Sequence, residues 1–392
     1  MRSPALVLSL SLSLAIAALT GCARDDVPAN EAPLTATAPP TPPVAPPVLS
    51  REPRLPLPGP ARKRLAAAVV ENEGCELCHD EIAREWRGSF HQRSNLDPAY
   101  QKAFAVEPSS FCRGCHAPEA DPLHEPPGTV SALGVGCVTC HVTEAGVVLA
   151  AAHPDDPLDP TRPSAPHPLR RSADFARAGA CAGCHEFRFP MPGGDDDAFF
   201  MQTTAREHRR SPAAARACAD CHMPLREGHR SHAFAEVRDE AWLRAGLRVT
   251  AERAPDDTLR LTLTQTRPGH AFPTGDLFRR LEVGYALLRD DGTIERRALR
   301  HLARHFERIP GLPGRHLTRD DRVEGDPSVV VLELPSASEI PKIKSIFWWV
   351  SLQRVATIGA GASPAETIVE SEVKLSSGVL PWSPQPPPVN EP

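Results

Sequence analysis

From position 246 onward, apolar and polar residues alternate with a period of two. Leu247-Arg248-Val249-Thr250 and Leu259-Arg260-Leu261-Thr262-Leu263-Thr264 follow this pattern, with Asp256-Asp257 between them as a turn. Such alternation marks a strand with one buried face. Leu281 to Leu288 and Thr293 to Ala298 flank Asp290-Asp291-Gly292, a hairpin signal. Val329 to Leu334 and Ser345 to Val355 supply later strands, and Ile346-Phe347-Trp348-Trp349-Val350 is apolar enough to lie between two sheets. Short strands at regular spacing predict an all-β, sandwich-like domain over 246–376.

Before 246 neither period persists. Residues 61–70, 80–87 and 213–219 read as short helices, and Gly and Pro interrupt most of the rest. Many short helices joined by loops are expected over 62–240, so the chain as a whole is predicted to be α+β and multidomain. The stretch from Arg188 to Ala198 holds Pro190, Pro192, Gly193, Gly194 and three successive aspartates, and reads as a solvated surface loop.

The two ends follow other patterns. Arg2 precedes an apolar run from Ala5 to Leu19, the length of a signal-peptide core and short for a membrane span. Leu19-Thr20-Gly21-Cys22 looks like a bacterial lipobox, which makes Cys22 the expected lipidation site and 1–22 a lipoprotein signal peptide. Ala23 in place of an aspartate favours the outer membrane, by resemblance to sorted bacterial lipoproteins. Twelve prolines between Pro28 and Pro60 predict an extended, disordered linker over 23–61. Residues 377–392, proline-rich from Leu380, read as a disordered tail.

Composition narrows the class. Aromatic residues make up 5% of the 392, and proline numbers 44, so an ordinary large core in the first half is implausible. Net charge is −5, and basic residues are interleaved with acidic ones, which speaks against nucleic acid as a partner.

What fills the first half is indicated by its cysteines. Cys-x-x-Cys-His occurs five times: at Cys75, Cys78 and His79; Cys112, Cys115 and His116; Cys137, Cys140 and His141; Cys181, Cys184 and His185; and Cys218, Cys221 and His222. This is the spacing of c-type haem attachment. Two thiols three positions apart add to the two vinyl groups on one haem edge, and the next residue presents an imidazole to the iron. Zinc also takes paired Cys and His, and disulfides also use paired cysteines. Five copies with histidine always in the same place favour five covalently bound haems c. The motifs use ten of the 11 cysteines, and Cys22 is the eleventh. Attachment of this kind belongs outside the bacterial cytoplasm.

Five of the 16 histidines are proximal by this reading. The distal candidates are His91, His124, His153, His167, His208, His229, His232, His270, His301, His305 and His316. His301 and His305, four apart, could share a helix face. Met191, Met201 and Met223 offer thioethers, or only packing. The haem half resembles the bacterial multihaem cytochromes c related to the tetrahaem cytochrome of ammonia oxidisers, over most of residues 70 to 290. Trp86-Arg87-Gly88-Ser89-Phe90-His91 matches that group's Trp-x-x-Ser-x-His, and the resemblance implies His91 as a distal ligand. It also points to His232 rather than His229, and to His167 in Pro166-His167-Pro168. It extends to His270 in Gly269-His270-Ala271-Phe272-Pro273-Thr274-Gly275. For the remaining haem, His153, His208 and His124 compete. If His270 ligates, its loop ties the β-domain to iron.

Electron relay among redox partner proteins of the cell envelope, from a lipid-anchored position, is the leading expectation. A multihaem oxidoreductase with one five-coordinate haem, acting on a small nitrogen or sulfur compound, is the alternative. A third possibility is that the β-domain docks the cytochrome onto a larger assembly.

Overall fold

In this computed structural model the β half is built from two sheets that share one core. Strand labels below follow chain order. The helical half contributes six short strands: β1 (Val148–Ala151) with β2 (Leu169–Ser172), β3 (Phe187–Arg188) with β4 (Phe200–Gln202), and β5 (Leu225–Arg226) with β6 (His229–Arg230). The three-stranded sheet that follows is ordered β13-β8-β7, from β7 (Leu247–Ala254), β8 (Thr258–Gln265) and β13 (Ser328–Glu333). The four-stranded sheet is ordered β10-β9-β14-β15, from β9 (Arg279–Arg289), β10 (Ile294–Leu302), β14 (Ile343–Val355) and β15 (Val369–Pro381). A separate hairpin joins β11 (Arg304–Glu307) to β12 (His316–Asp320). The structure describes residues 57–382 apart from 152–166, 168, 173–174, 176, 190–195, 235–238, 312–315, 337, 341 and 357–366. The expected signal segment with Cys22, most of the expected linker and tail, His153 and Met191 lie outside the described residues.

The period-two pattern does what it implies. Leu259, Leu261 and Leu263 of β8 point inward and meet Leu281, Val283, Tyr285 and Leu287 of β9 and Ile346, Trp348 and Val350 of β14 in one apolar cluster. Burial of each such side chain stabilises by roughly 1.5–3 kcal/mol. The β9–β10 hairpin closes through Gly292 at φ 80°, with Asp291 Oδ1 accepting from the Thr293 N–H and hydroxyl at 2.9 and 2.7 Å. Two glycines make room for tryptophans. A Cβ on Gly284 would lie 2.5 Å from the Trp349 ring, and one on Gly378 would lie 2.7 Å from Trp348. Each glycine stands directly opposite its tryptophan in the ladder.

The helical half has little apolar interior. Its clusters are small: Ala68, Trp86, Leu133, Val138 and Val142 in one, and Ala117, Ala120 and Val130 in another. Ten helices occur among the described residues, and five of them carry the Cys-x-x-Cys-His motifs. These are α1 (Ala66–Cys78), α4 (Ser110–His116), α6 (Cys137–His141), α7 (Gly179–His185) and α9 (Ala219–His222), the last preceded by Cys218 in helical geometry. The others are α2 (Asp80–Trp86), α3 (Pro98–Val106), α5 (Gly128–Leu133), α8 (Thr204–Arg210) and α10 (Glu240–Gly246). Asp97 caps α3 by accepting from the Ala99 and Tyr100 N–H groups, with Pro98 in the first turn, where its missing N–H costs nothing. No helix among the described residues is long and apolar enough to cross a membrane.

Several expectations are corrected. The first helix begins at Ala66, not 61, because residues 61–65 run beside a neighbouring segment. There the Ala61 N–H donates to Gly114 O, the Arg62 N–H to Pro118 O and the Leu65 N–H to Glu119 O. Residues 213–216 form turns, and Asp220 captures the Ala217 N–H at 2.9 Å; helix lies on either side, at α8 and from Ala219 in α9. His301 and His305 sit on strands β10 and β11 and share no helix face. In the loop before β4, Asp197 is paired with Arg206 and Arg210 and so is not merely solvated. Strand β15 runs past the expected boundary at 376 to Pro381, and Trp382 joins the core beyond it. Its alternation is diluted by Ser371, Ser376, Ser377 and Gly378, so the sequence pattern hides it.

Candidate haem sites

Each motif occupies a turn of helix, which puts cysteines three apart on one face and the histidine just beyond. Backbone bonds lock that turn: the His79 N–H donates to Cys75 O at 2.9 Å, and the His222 N–H to Cys218 O at 3.0 Å. None of the ten motif cysteines is joined to another in a disulfide.

The motifs meet one another out of chain order. Cys115 of motif two lies beside Cys184 of motif four, and Cys181 of motif four lies beside Cys218 of motif five. Asn72 of α1 accepts from the Cys137 N–H at 2.7 Å, joining the first motif's helix to motif three. The Phe234 ring stands 4.2 Å from His91 and 6.3 Å from His232.

Three histidine pairs have a common geometry. His91 faces His185, His232 faces His141, and His270 faces His222, each pair with ring centres 6.1 Å apart. The interplanar angles are 78°, 35° and 15° respectively. With metal–nitrogen bonds of about 2 Å, and roughly 1.1 Å from nitrogen to ring centre, two imidazoles trans on one metal have centres about 6 Å apart. Each pair therefore has the spacing at which its two imidazoles would hold one iron between them. Every pair joins a motif histidine to one of the expected distal residues.

The surroundings prepare these rings. Nδ1 of His141 lies 2.8 Å from Leu149 O, that of His232 lies 2.7 Å from Arg230 O, and that of His270 lies 2.9 Å from Ala271 O. Donation from Nδ1 to a carbonyl fixes the tautomer that leaves Nε2 for a metal. His116 is held the same way by Ser94 O at 2.8 Å, and the Gln202 amide lies 3.1 Å from His185 Nδ1. Burial drives His91 down to about 3 and His222 to about 4, and lowers His141, His185 and His232 as well. Burial thus favours in these five rings the neutral form, which is the form that ligates.

Other candidates are placed differently. His79 is exposed, and His116 stacks on Tyr100 with ring centres 3.8 Å apart; neither faces a second imidazole among the described residues. His167 is half-buried with Nδ1 lacking a partner, and makes no ring contact with a motif histidine among the described residues. His124 is exposed beside Asp121 Oδ2 at 3.0 Å. His208 is buried near His222 and His270, again with Nδ1 unpartnered. His229 contacts Glu85 at 3.2 Å, and the same carboxylate oxygen accepts the His232 N–H at 2.8 Å. His301 pairs with Glu282 and His305 with Asp321. His316 lies on β12, Met201 on β4, and Met223 directly follows His222. Sequence reasoning missed Glu207 and Arg322, which surround the His270 loop; a lone Glu and a lone Arg carry no local signal.

Residues 74–142 match the family of cytochrome c554 and c-prime. No curated protein sequence matches. Among solved structures, the chain is similar to a penta-haem cytochrome c552 from Thermochromatium tepidum, with a TM-score of 0.58 and 19% identity over 82% of this chain and 100% of that one. A match to MtrC from Shewanella baltica OS185 has 15% identity, covers 52% of this chain and 32% of that one, and at a TM-score of 0.17 carries no argument. The five motifs and the family match over residues 74–142 point to a multihaem c-type cytochrome, and the likeness to the penta-haem protein is one of fold.

Proposed function

We propose that this chain binds five haems c and relays electrons in the bacterial cell envelope. The observation that carries the reading is the set of three histidine pairs at 6.1 Å. A six-coordinate, low-spin haem exchanges single electrons with little rearrangement and has no open position for substrate. The chain's part is to fix both imidazoles, keep them neutral and exclude water. His91, His232 and His270 act as distal ligands to motifs four, three and five. Motif four, whose cysteines lie beside those of motifs two and five and whose distal ligand His91 meets that of motif three, His232, across Phe234, is the junction of the relay.

The rest of the reading comes from sequence. Cys22 carries a lipid anchor, and the proline-rich linker holds the redox region away from the membrane, with redox partner proteins as donor and acceptor. The fold is a short-helix haem region followed by a sandwich-like β-domain, and the likeness to the penta-haem cytochrome, which the chain spans in full, favours that architecture.

One observation favours a second reading. His79 and His116 lack a second imidazole among the described residues, so an iron open to a small nitrogen or sulfur compound belongs at motif one or two. Haem quantification by pyridine haemochrome, followed by turnover assays with nitrite, hydroxylamine and sulfite, tests both. The relay account expects five haems per chain and no turnover. Fewer haems would refute the count, and sustained turnover would favour the oxidoreductase.

A further inference from the structure

We propose that Glu207 is a positioning residue that holds His270 opposite the fifth motif, and that Arg322 fixes Glu207 in that role. This rests on the His222–His270 ligation proposed above. Glu207 belongs to α8, in the segment leading into motif five, whereas His270 lies in the loop between β8 and β9. Glu207 Oε2 accepts the Ala271 N–H at 3.2 Å and the Thr274 hydroxyl at 2.7 Å. Glu207 Oε1 meets Arg322 Nη2 at 2.7 Å. Arg322 Nη1 also donates to Pro273 O at 3.2 Å, while Nε and Nη2 hold the Asp320 carboxylate at 2.8 and 2.7 Å.

The carboxylate–guanidinium pair therefore grips the loop at residues 271, 273 and 274, immediately after the histidine. The link to the imidazole is direct. Ala271 gives its N–H to Glu207 and, through its carbonyl 2.9 Å from His270 Nδ1, sets the ring's tautomer and rotation. Gln265 Nε2 donates to His270 O at 3.0 Å and completes the frame.

The pair is expensive to bury. The two side chains are 6% and 5% exposed, and a buried ion pair recovers its desolvation cost only when further hydrogen bonds satisfy both partners. Here those bonds go to the ligand loop. The segment that carries the proximal histidine thus also grips the loop that carries its opposite ligand, so the helical and β halves are joined by a polar clamp beside an iron site.

The test uses the full-length holoprotein and three single variants, Glu207→Gln, Thr274→Val and His270→Ala, each first checked for unchanged haem content. Low-temperature EPR and cyanide titration of the oxidised proteins are the readouts. His270→Ala is expected to turn one haem high-spin, with added imidazole restoring it. Glu207→Gln is expected to let cyanide bind at that same haem on the order of 10-fold more tightly than in the parent protein, the low end of the range by which losing an outer-sphere partner weakens a metal site. It also moves that haem's midpoint potential and leaves the others unchanged. Thr274→Val, which removes the hydroxyl's bonds to Glu207 and Thr204 but leaves the ion pair and the Ala271 bond, gives a smaller effect in the same direction and serves if Glu207→Gln does not fold. An effect of His270→Ala with none from either clamp variant would overturn the positioning role alone. No effect of His270→Ala would instead overturn the ligation on which it rests.

Discussion

His222 and His270 lie with ring centres 6.1 Å apart and planes within 15°, although one follows a cysteine pair in the helical half and the other sits in a loop between β-strands. An iron between them would join the halves of the chain through two coordinate bonds. Replacing His270 by alanine is therefore expected to do more than alter one spectrum. It should expose the β8–β9 loop, so that hydrogen exchange at residues 271–275 rises together with the high-spin signal. Exchange unchanged from the parent protein would show that the loop is held without the metal.

A second prediction concerns Arg64. Its guanidinium makes two bonds to Glu119, at 2.9 and 3.0 Å, and Glu119 is fully buried while also accepting from the Thr139 hydroxyl at 2.8 Å. Arg64→Ala leaves that carboxylate without its cation and should cost roughly 3–5 kcal/mol. Chemical denaturation followed by circular dichroism measures it; a loss below 1 kcal/mol would contradict the buried-pair account.

The outer face of the four-stranded sheet makes a pH prediction. Hydrogen bonds from His301, and then from Trp349 and Gln353, hold the Glu282 carboxyl down to about 2. Since its folded value lies below the unfolded 4.5, the stability it contributes is complete above pH 4.5 and is lost as pH falls towards 2. Glu282→Gln should flatten that acid limb and cost roughly 1–3 kcal/mol at neutral pH. Parallel stability–pH curves for the two proteins would show that Glu282 does not carry the dependence.

The glycines beneath the tryptophans give a steric prediction. Gly284→Ala puts a methyl 2.5 Å from the Trp349 ring, and Gly378→Ala puts one 2.7 Å from Trp348. Each should destabilise the β half by about 1–3 kcal/mol through overpacking. Trp349→Leu should relieve the first and leave the second unchanged, which a double-mutant comparison of thermal stability would read.

What the sequence conveys here is whatever is encoded locally. Each Cys-x-x-Cys-His motif is complete within five residues, and β8 declares itself through Leu259, Leu261 and Leu263 alternating with polar neighbours. The distal histidines are different, because nothing within a few residues of His91 marks its partner as His185; resemblance had to supply the candidates. The Glu207–Arg322 pair was invisible for the same reason, being made by chain closure alone. Strand β15 was missed because Gly378, placed to seat Trp348, and its serine neighbours weaken the alternation. In that stretch the packing requirement overrides the pattern.

The central claim, that histidine pairs hold low-spin haems in a relay, is most directly tested by low-temperature EPR of the fully oxidised, haem-quantified protein with and without cyanide. The account predicts at least three low-spin haems per chain that cyanide leaves unaltered, with any cyanide-sensitive signal removed from the motifs of His141, His185 and His222. Fewer than three cyanide-insensitive low-spin haems would contradict it.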